Sequence, residues 1–179
     1  MKMLKNVLNV LIVLIAGFLI IAAFLPDSYH VEHSVRISQP ADSVYDYLID
    51  HRNRRVWDPW IEREPDAVLV LSGPRTGVGA SWTWEGRIIG SGSMTIVAVD
   101  TGRSIQSRLR FTSPRQSEAD IFWLFQPLQD GTEVRWTIEG KLRYPFERFA
   151  GLFFERMIGP DFERGLDNLK TVLESGLTE

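Results

Sequence analysis

Between Val10 and Leu25 the chain runs sixteen residues without one polar side chain, VLIVLIAGFLIIAAFL. Val7 and Leu8 lengthen the run to nineteen, with Asn9 its only polar interruption. As a helix rising about 1.5 Å per residue, nineteen residues reach roughly 28 Å, close to the hydrocarbon thickness of a bilayer. A helix apolar on every face has no place on the surface of a water-soluble domain. Residues 1–26 are therefore expected to form an N-terminal transmembrane anchor through Val10, Leu14, Phe18, Ile21 and Leu25, and residues 27–179 a separate domain. A cleaved signal peptide is the competing reading. Lys2 and Lys5 suit its charged start, but no A-x-A-like cleavage site follows and the apolar run exceeds a usual signal core.

Flanking charge sets the expected orientation. Lys2 and Lys5 precede the segment, Asp27 and Glu32 follow it, and the first later cation is Arg36. The excess of cations before the span places the N-terminus in the cytoplasm and the domain outside the cell membrane, in the periplasm if the cell is Gram-negative. Without Lys2 and Lys5, the rest of the chain carries 18 Lys+Arg against 23 Asp+Glu, a net charge of −5. That balance argues against a nucleic-acid partner. Cysteine is absent, which excludes a disulfide scaffold, a Cys nucleophile and Cys-ligated metals, and the only histidines are His30, His33 and His51. No metal and no cofactor are expected.

The order of signals after the anchor is strand, helix, many strands, helix. His30–Ser38 carries the β-branched Val31, Val35 and Ile37. Pro40 opens a helical pattern to about His51, with Val44, Leu48 and Tyr45 as its apolar stripe and Ser38 or Asp42 as capping candidates. A short aromatic stretch, Asn53–Trp60, is stopped by Pro59. Six strand-like runs follow near Ala67–Ser72, Ala80–Gly86, Gly92–Val99, Ser104–Thr112, Glu118–Gln126 and Thr132–Gly140, each bounded by Gly, Pro, Asp or Ser turns. In the last, Val134, Trp136 and Ile138 alternate with Glu133, Arg135, Thr137 and Glu139, so one sheet face is covered and the other wet. Ile105, Leu109 and Phe111 alternate likewise with Gln106, Arg108 and Arg110. Phe162, Leu166, Leu169 and Leu173 mark one face of a terminal helix, and Phe149, Phe153 and Met157 extend an apolar stripe upstream. Gly159-Pro160 is expected to kink this helix or to begin a second one. The sum is an α+β domain, a long antiparallel sheet with helices on one face. A long helix crossing a curved sheet leaves space beneath it, where an apolar pocket forms.

Three stretches then carry a resemblance. Asp50-His51-Arg52-Asn53 followed by Trp57-Asp58-Pro59-Trp60 resembles the "D-x-R-N…W-x-P-W" run of the polyketide cyclase/dehydrase-like SRPBCC family, within the START/Bet v1-like helix-grip superfamily. Ser72 to Gly86, SGPRTGVGASWTWEG, resembles its "SGP-x-x-GVGA-x-x-x-WEG" segment. Met157 to Lys170, MIGPDFERGLDNLK, resembles its terminal-helix signature "MIG-x-DFE-x-GL-x-NLK". The resemblance covers about residues 30–175. It implies a helix-grip fold of about seven strands wrapped on a long C-terminal helix, with two short helices after the first strand. It also implies a cavity for a lipid-like, aromatic or polyketide-like ligand. In the family the Pro160 site lies within one long helix. None of the matched motifs is a catalytic signature, so no catalytic residue follows.

The cavity-lining candidates are Trp57, Trp60, Trp82, Trp84, Met94, Leu109, Phe111, Trp123, Trp136, Phe153 and Met157. Large aromatics line pockets and also fill ordinary cores. Trp57 and Trp60 are expected near the mouth, where they would also suit a membrane interface. Glu85 alternates with Trp82 and Trp84 and should face water. Arg52, Arg54 and Arg55 have Asp50, Asp58 and Glu62 nearby as partners, His51 stands at a helix end where a cation suits the dipole, and Gly77-Val78-Gly79 reads as a turn. His30 and His33 fall on opposite faces of their strand and cannot share a metal. Phe122 and Leu124 are apolar on the outward face, either an interaction patch or a covered one. Three functions remain open: a membrane-tethered binder of a hydrophobic small molecule, a cyclase or dehydratase on a polyketide-like substrate, and a protein-interaction domain with a filled core. An ionisable side chain aimed into the pocket separates the second from the first.

Overall fold

The computed structural model describes residues 2–176; positions 177–179 of the expected domain lie outside the described residues. Helix α1 spans Lys2–Phe24 and leaves nearly all its apolar side chains uncovered by protein. Strand β1 (Ser28–Ile37) follows, then α2 (Ala41–Leu48), a 3-10 turn at His51–Asn53, α3 (Arg54–Trp57) and α4 (Pro59–Arg63). Six strands come next: β2 (Val68–Ser72), β3 (Ser81–Glu85), β4 (Ser91–Asp100), β5 (Ser104–Ser113), β6 (Ser117–Leu128) and β7 (Gly131–Lys141). Helices α5 (Phe146–Gly151) and α6 (Phe154–Ser175) complete it. The seven strands form one antiparallel sheet ordered β1-β7-β6-β5-β4-β3-β2. This is the helix-grip α+β architecture, with a tighter string of helices after β1 than two.

The expected alternation holds along the inner face. Val134, Trp136 and Ile138 of β7 and Ile121, Trp123 and Phe125 of β6 are buried, while Glu85, Arg110 and Leu124 are exposed. Phe122 is half-buried opposite Gln106 and Thr137 on the outer face, so this strand keeps its register. Thr137 departs from the wet-face expectation: it is buried and donates to Glu32 Oε2. Gly92 is required where it stands, because a Cβ there would meet the Trp84 ring at 2.5 Å. Pairing slips at Ser91/Gly92 and Ile96/Ala98 give the sheet the irregularities that favour curvature.

A column of aromatics joins sheet to helices. Trp136 stacks between its cross-strand partner Trp123, at 4.5 Å, and Phe162 of α6, at 4.1 Å. Trp57 meets both tryptophans edge-on at 5.7 and 5.6 Å. Gly165 lets α6 approach, since a Cβ there would lie 2.9 Å from the Trp136 ring.

Several local expectations are corrected. The N-cap of α2 is Pro40 and makes no side-chain cap bond; neither Ser38 nor Asp42 supplies one. The Ser38 amide is held by Glu174 of α6. Pro59 does not stop a helix but opens α4, its fixed φ suiting the first helical position, with Asp58 as N-cap. Gly159-Pro160 does not divide the terminal helix, since α6 runs through both. The carbonyl that Pro160 leaves without a partner belongs to Arg156, an exposed residue, so solvent is at hand to serve it. The break falls earlier, between α5 and α6, and it turns Phe153 outward and leaves Met157 largely exposed at the edge of the cavity instead of continuing the core stripe.

Replacing a tryptophan clamped in this column should be costly. Trp57→Ala is expected to lose about 3–5 kcal/mol of stability. Leu124→Ser on the outer face should change it by less than about 0.5 kcal/mol. Denaturant titration of the two variants checks the assignment of inner and outer faces.

Candidate functional site

The core is not filled. A cavity of about 480 Å³ lies between the sheet and the first three turns of α6. Its floor is Trp82 and Trp84 of β3, Met94 of β4, Leu109 and Phe111 of β5, and Trp136 and Ile138 of β7. Phe154, Met157, Ile158 and Phe162 of α6 roof it, and Tyr29 of β1 closes one side. Burial pushes the Tyr29 phenol up to about 12, so it stays a neutral hydroxyl at any ordinary pH. Two surface depressions are larger, about 620 Å³ each, but loop and strand-end polar groups such as Arg108, Glu118, Asp42 and Asp130 line them. The internal cavity combines a mostly apolar wall with buried polar side chains, Arg54 and Asp58.

Of the side chains expected at a cavity, Trp60, Trp82, Trp84, Met94, Leu109, Phe111, Trp136 and Met157 line it. Trp57 and Trp123 lie behind the wall in the aromatic column, fully buried. Phe153 is exposed because α6 begins only after it. Trp57, 1% exposed, is therefore no anchor at the mouth, while Trp60 is half-buried in the cavity wall. The 3-10 turn and α3 fold the Trp57 indole under α6, where its carbonyl accepts from Asn168.

The polar groups converge at the inner end. Asp58 caps α4 by accepting from the Trp60 amide at 3.0 Å, and its other oxygen accepts from Arg54 at 2.5 Å. Both partners are almost wholly buried, and both line the cavity. The Arg54 guanidinium lies 5.0 Å from the Trp57 ring and 4.9 Å from the Trp82 ring, whose faces offset part of its desolvation. Arg54 Nε and the indole N–H groups of Trp82 and Trp136 make no hydrogen bond to protein. All three belong to side chains that line the cavity, but the atoms themselves are buried, so an acceptor oxygen reaches them only when those side chains shift. The pairing of Arg54 with Asp58 was legible from their spacing of four; its burial in a cavity wall was not.

His51, behind Arg54, is also corrected. It is no helix-terminal cation: burial, then the neighbouring Arg54 charge, pushes it down to about 4, so it is neutral. Among the other histidines, His30 pairs with Glu139 and His33 with Glu155, on different faces of β1.

The mouth is shaped by Glu64, which sequence reading passed over. Its carboxylate accepts from the amides of Arg87, Ile88 and Ile89 at 2.7, 2.8 and 3.1 Å, and these bonds hold it below the usual carboxylate range. They fix the β3–β4 loop so that Ile88 and Ile89 rim the cavity. Gly86 leaves room for that carboxylate, which a Cβ would approach to 2.4 Å. Across the mouth, Arg63 of α4 pairs with Asp161 of α6.

The family model described as polyketide cyclase / dehydrase and lipid transport matches residues 28–174. The chain belongs to that family. Solved structures agree on the fold. The Zhui aromatase/cyclase from Streptomyces sp. R1128 superposes with a TM-score of 0.62 at 19% identity, covering 84% of this chain and 96% of that one. The Aha1 dimer from Colwellia psychrerythraea gives 0.60 at 15%, covering 83% and 98%. The di-domain ARO/CYC StfQ from the steffimycin biosynthetic pathway gives 0.62 at 15%, covering 84% of this chain and 52% of that one. No curated protein matches the sequence. Within this polyketide cyclase/dehydrase and lipid-transport family, α1 is an added apolar helix long enough to cross a membrane.

Two outcomes follow from the site. Glu64→Ala should free the loop amides and speed hydrogen exchange at residues 87–89 by roughly tenfold or more, read by amide exchange. The depressed His51 value means that the unfolded chain takes up a proton near pH 6.5 that the folded chain refuses until about 4. Stability should therefore fall as pH drops through that window. Thermal midpoints at pH 7 and pH 4.5 should show a shallower fall in His51→Phe than in wild type.

Proposed function

We propose that the protein is a membrane-tethered binder of a hydrophobic small molecule, lipid-like or polyketide-like, that carries at least one acceptor oxygen. In this reading residues 1–26 remain as a single transmembrane anchor, with the N-terminus cytoplasmic. Residues 27–179 form the ligand-binding domain outside the cell membrane. The observation that carries it is the 480 Å³ cavity with a mostly apolar wall, whose lining includes the buried Arg54–Asp58 pair. Each buried CH₂ of a ligand gains about 0.8 kcal/mol relative to water, while one hydrogen bond nets about 0.5–1.5 kcal/mol. The apolar body would therefore supply affinity and the Arg54–Asp58 pair orientation. The length of the apolar run and the lack of an A-x-A-like cleavage site support a retained anchor over a discarded signal.

A second reading, a cyclase or dehydratase, is favoured by one observation, the Arg54–Asp58 pair in the cavity wall. A guanidinium beside a ketone oxygen stabilises the enolate that forms when a neighbouring carbon gives its proton to a carboxylate, and Asp58 is the carboxylate in the same wall. Such a step would begin by polarising one carbonyl of a polyketide-like chain.

Both readings are tested on the full chain, purified from its native host in detergent. Solvent extraction and mass spectrometry should recover an apolar, oxygen-bearing compound near one per chain. Met94→Trp should fill the cavity and lower that yield roughly tenfold or more. No compound, together with no thermal shift against fatty acids and aromatic polyketides, would sink the binding reading. Turnover of a poly-β-ketone surrogate, lost in the Arg54→Met/Asp58→Asn double variant, would favour the enzyme.

A further inference from the structure

The apolar side chains that α5 and the start of α6 turn away from the core are not scattered. Phe146 is 74% exposed, Leu152 57%, Phe153 56% and Met157 63%. They are continuous with α1. The Phe149 ring stacks on Phe18 at 4.6 Å, and Phe146 lies 5.4 Å from the same ring. Tyr144 Oη donates to the carbonyl of Leu19, and Arg148 donates to those of Ala22, Ala23 and Leu25. These last carbonyls have few partners within their own helix, and a cation suits that end of the dipole. The contacts fix α5 beside the final two turns of α1.

This placement sets a depth. Phe18 lies seven residues before Leu25, the end of the apolar run, or about 10 Å along the helix. If α1 spans the bilayer, α5 lies level with the acyl–headgroup boundary, where interfacial amphipathic segments sit about 5–10 Å deep. Tyr144 falls in the zone that favours amphipathic rings. We infer that the α5–α6 corner is immersed in the outer leaflet through Phe146, Leu152 and Phe153, and that the bilayer surface is its partner.

The cavity opens toward the same end. Its rim holds Met157, one turn beyond Phe153, and Ile88, which is 70% exposed, while Tyr29 and Phe154 form its wall next to the α1–β1 connection. A hydrophobic molecule passing from leaflet to cavity through this mouth has a short path, since mouth and immersed corner share one end of the sheet. This route rests on the binding reading above; the immersion of the corner does not, and needs only that α1 is a retained span.

Because the chain has no cysteine, single labels are clean. Full-length Leu152→Cys, Phe153→Cys and Asp130→Cys, each carrying an environment-sensitive fluorophore, are reconstituted in phosphatidylcholine/phosphatidylglycerol vesicles. Asp130 lies in the β6–β7 turn, at the far end of the sheet from α1. Labels at 152 and 153 should be blue-shifted, several-fold more quenched by lipids brominated on the acyl chain, and several-fold less by aqueous iodide, than the label at 130. Equal iodide quenching at all three positions would overturn the inference. Ligand recovery from detergent-solubilised protein reports on the cavity alone, so failure of binding and failure of membrane seating are read separately.

Discussion

The stack of Trp123, Trp136 and Phe162 holds the molecule together. It pins the middle of α6 to β6 and β7 and so decides how far the first turns of that helix stand off the sheet. Gly165 permits the close approach, and Trp57 and Trp60 brace the stack edge-on from α3 and α4. Beyond the stack the first turns of the helix stand off the sheet over Trp84, Leu109 and Phe111, and the gap there is the cavity. Aromatics thus do two things in this fold. On one side of Trp136 they fill space, and on the other they wall it.

The same clamp brings a charge into an apolar wall. Burying Arg54 is costly unless its charge is matched, and Asp58 matches it while also capping α4. The pair therefore ties the helix string after β1 to the inner end of the cavity. It leaves Arg54 Nε and two indole donors without protein partners. Orientation of a bound oxygen and stabilisation of a developing negative charge would both draw on this pair, so the two proposed readings point to one site.

Much of the fold was legible because its signals are local. Period-two alternation in Thr132–Gly140, the four-three-four spacing of Phe162, Leu166, Leu169 and Leu173, and Gly-Asp turns between strands each depend on neighbours a few residues apart. Departures occurred where a distant partner took over. Glu174 holds the Ser38 amide that local capping rules would have used. Water can satisfy the carbonyl freed by Pro160 because its side of α6 faces solvent, so the proline ends nothing. Phe153 carries the right residue type for a core stripe, but the chain breaks between α5 and α6, and it faces outward.

The sequence by itself determined the apolar helix, the antiparallel sheet, the terminal helix and the family, since hydrophobic period and motif order survive without knowledge of contacts. Tertiary structure alone decided which tryptophans wall the cavity and which lie behind it. It also decided that Arg54 and Asp58 are buried and that Glu64 shapes the mouth. Finally it set α5 against α1 at the end of the sheet where the cavity opens. The physical reason is common to all four: burial and hydrogen bonding depend on groups separated by tens of residues, and no local pattern encodes their meeting.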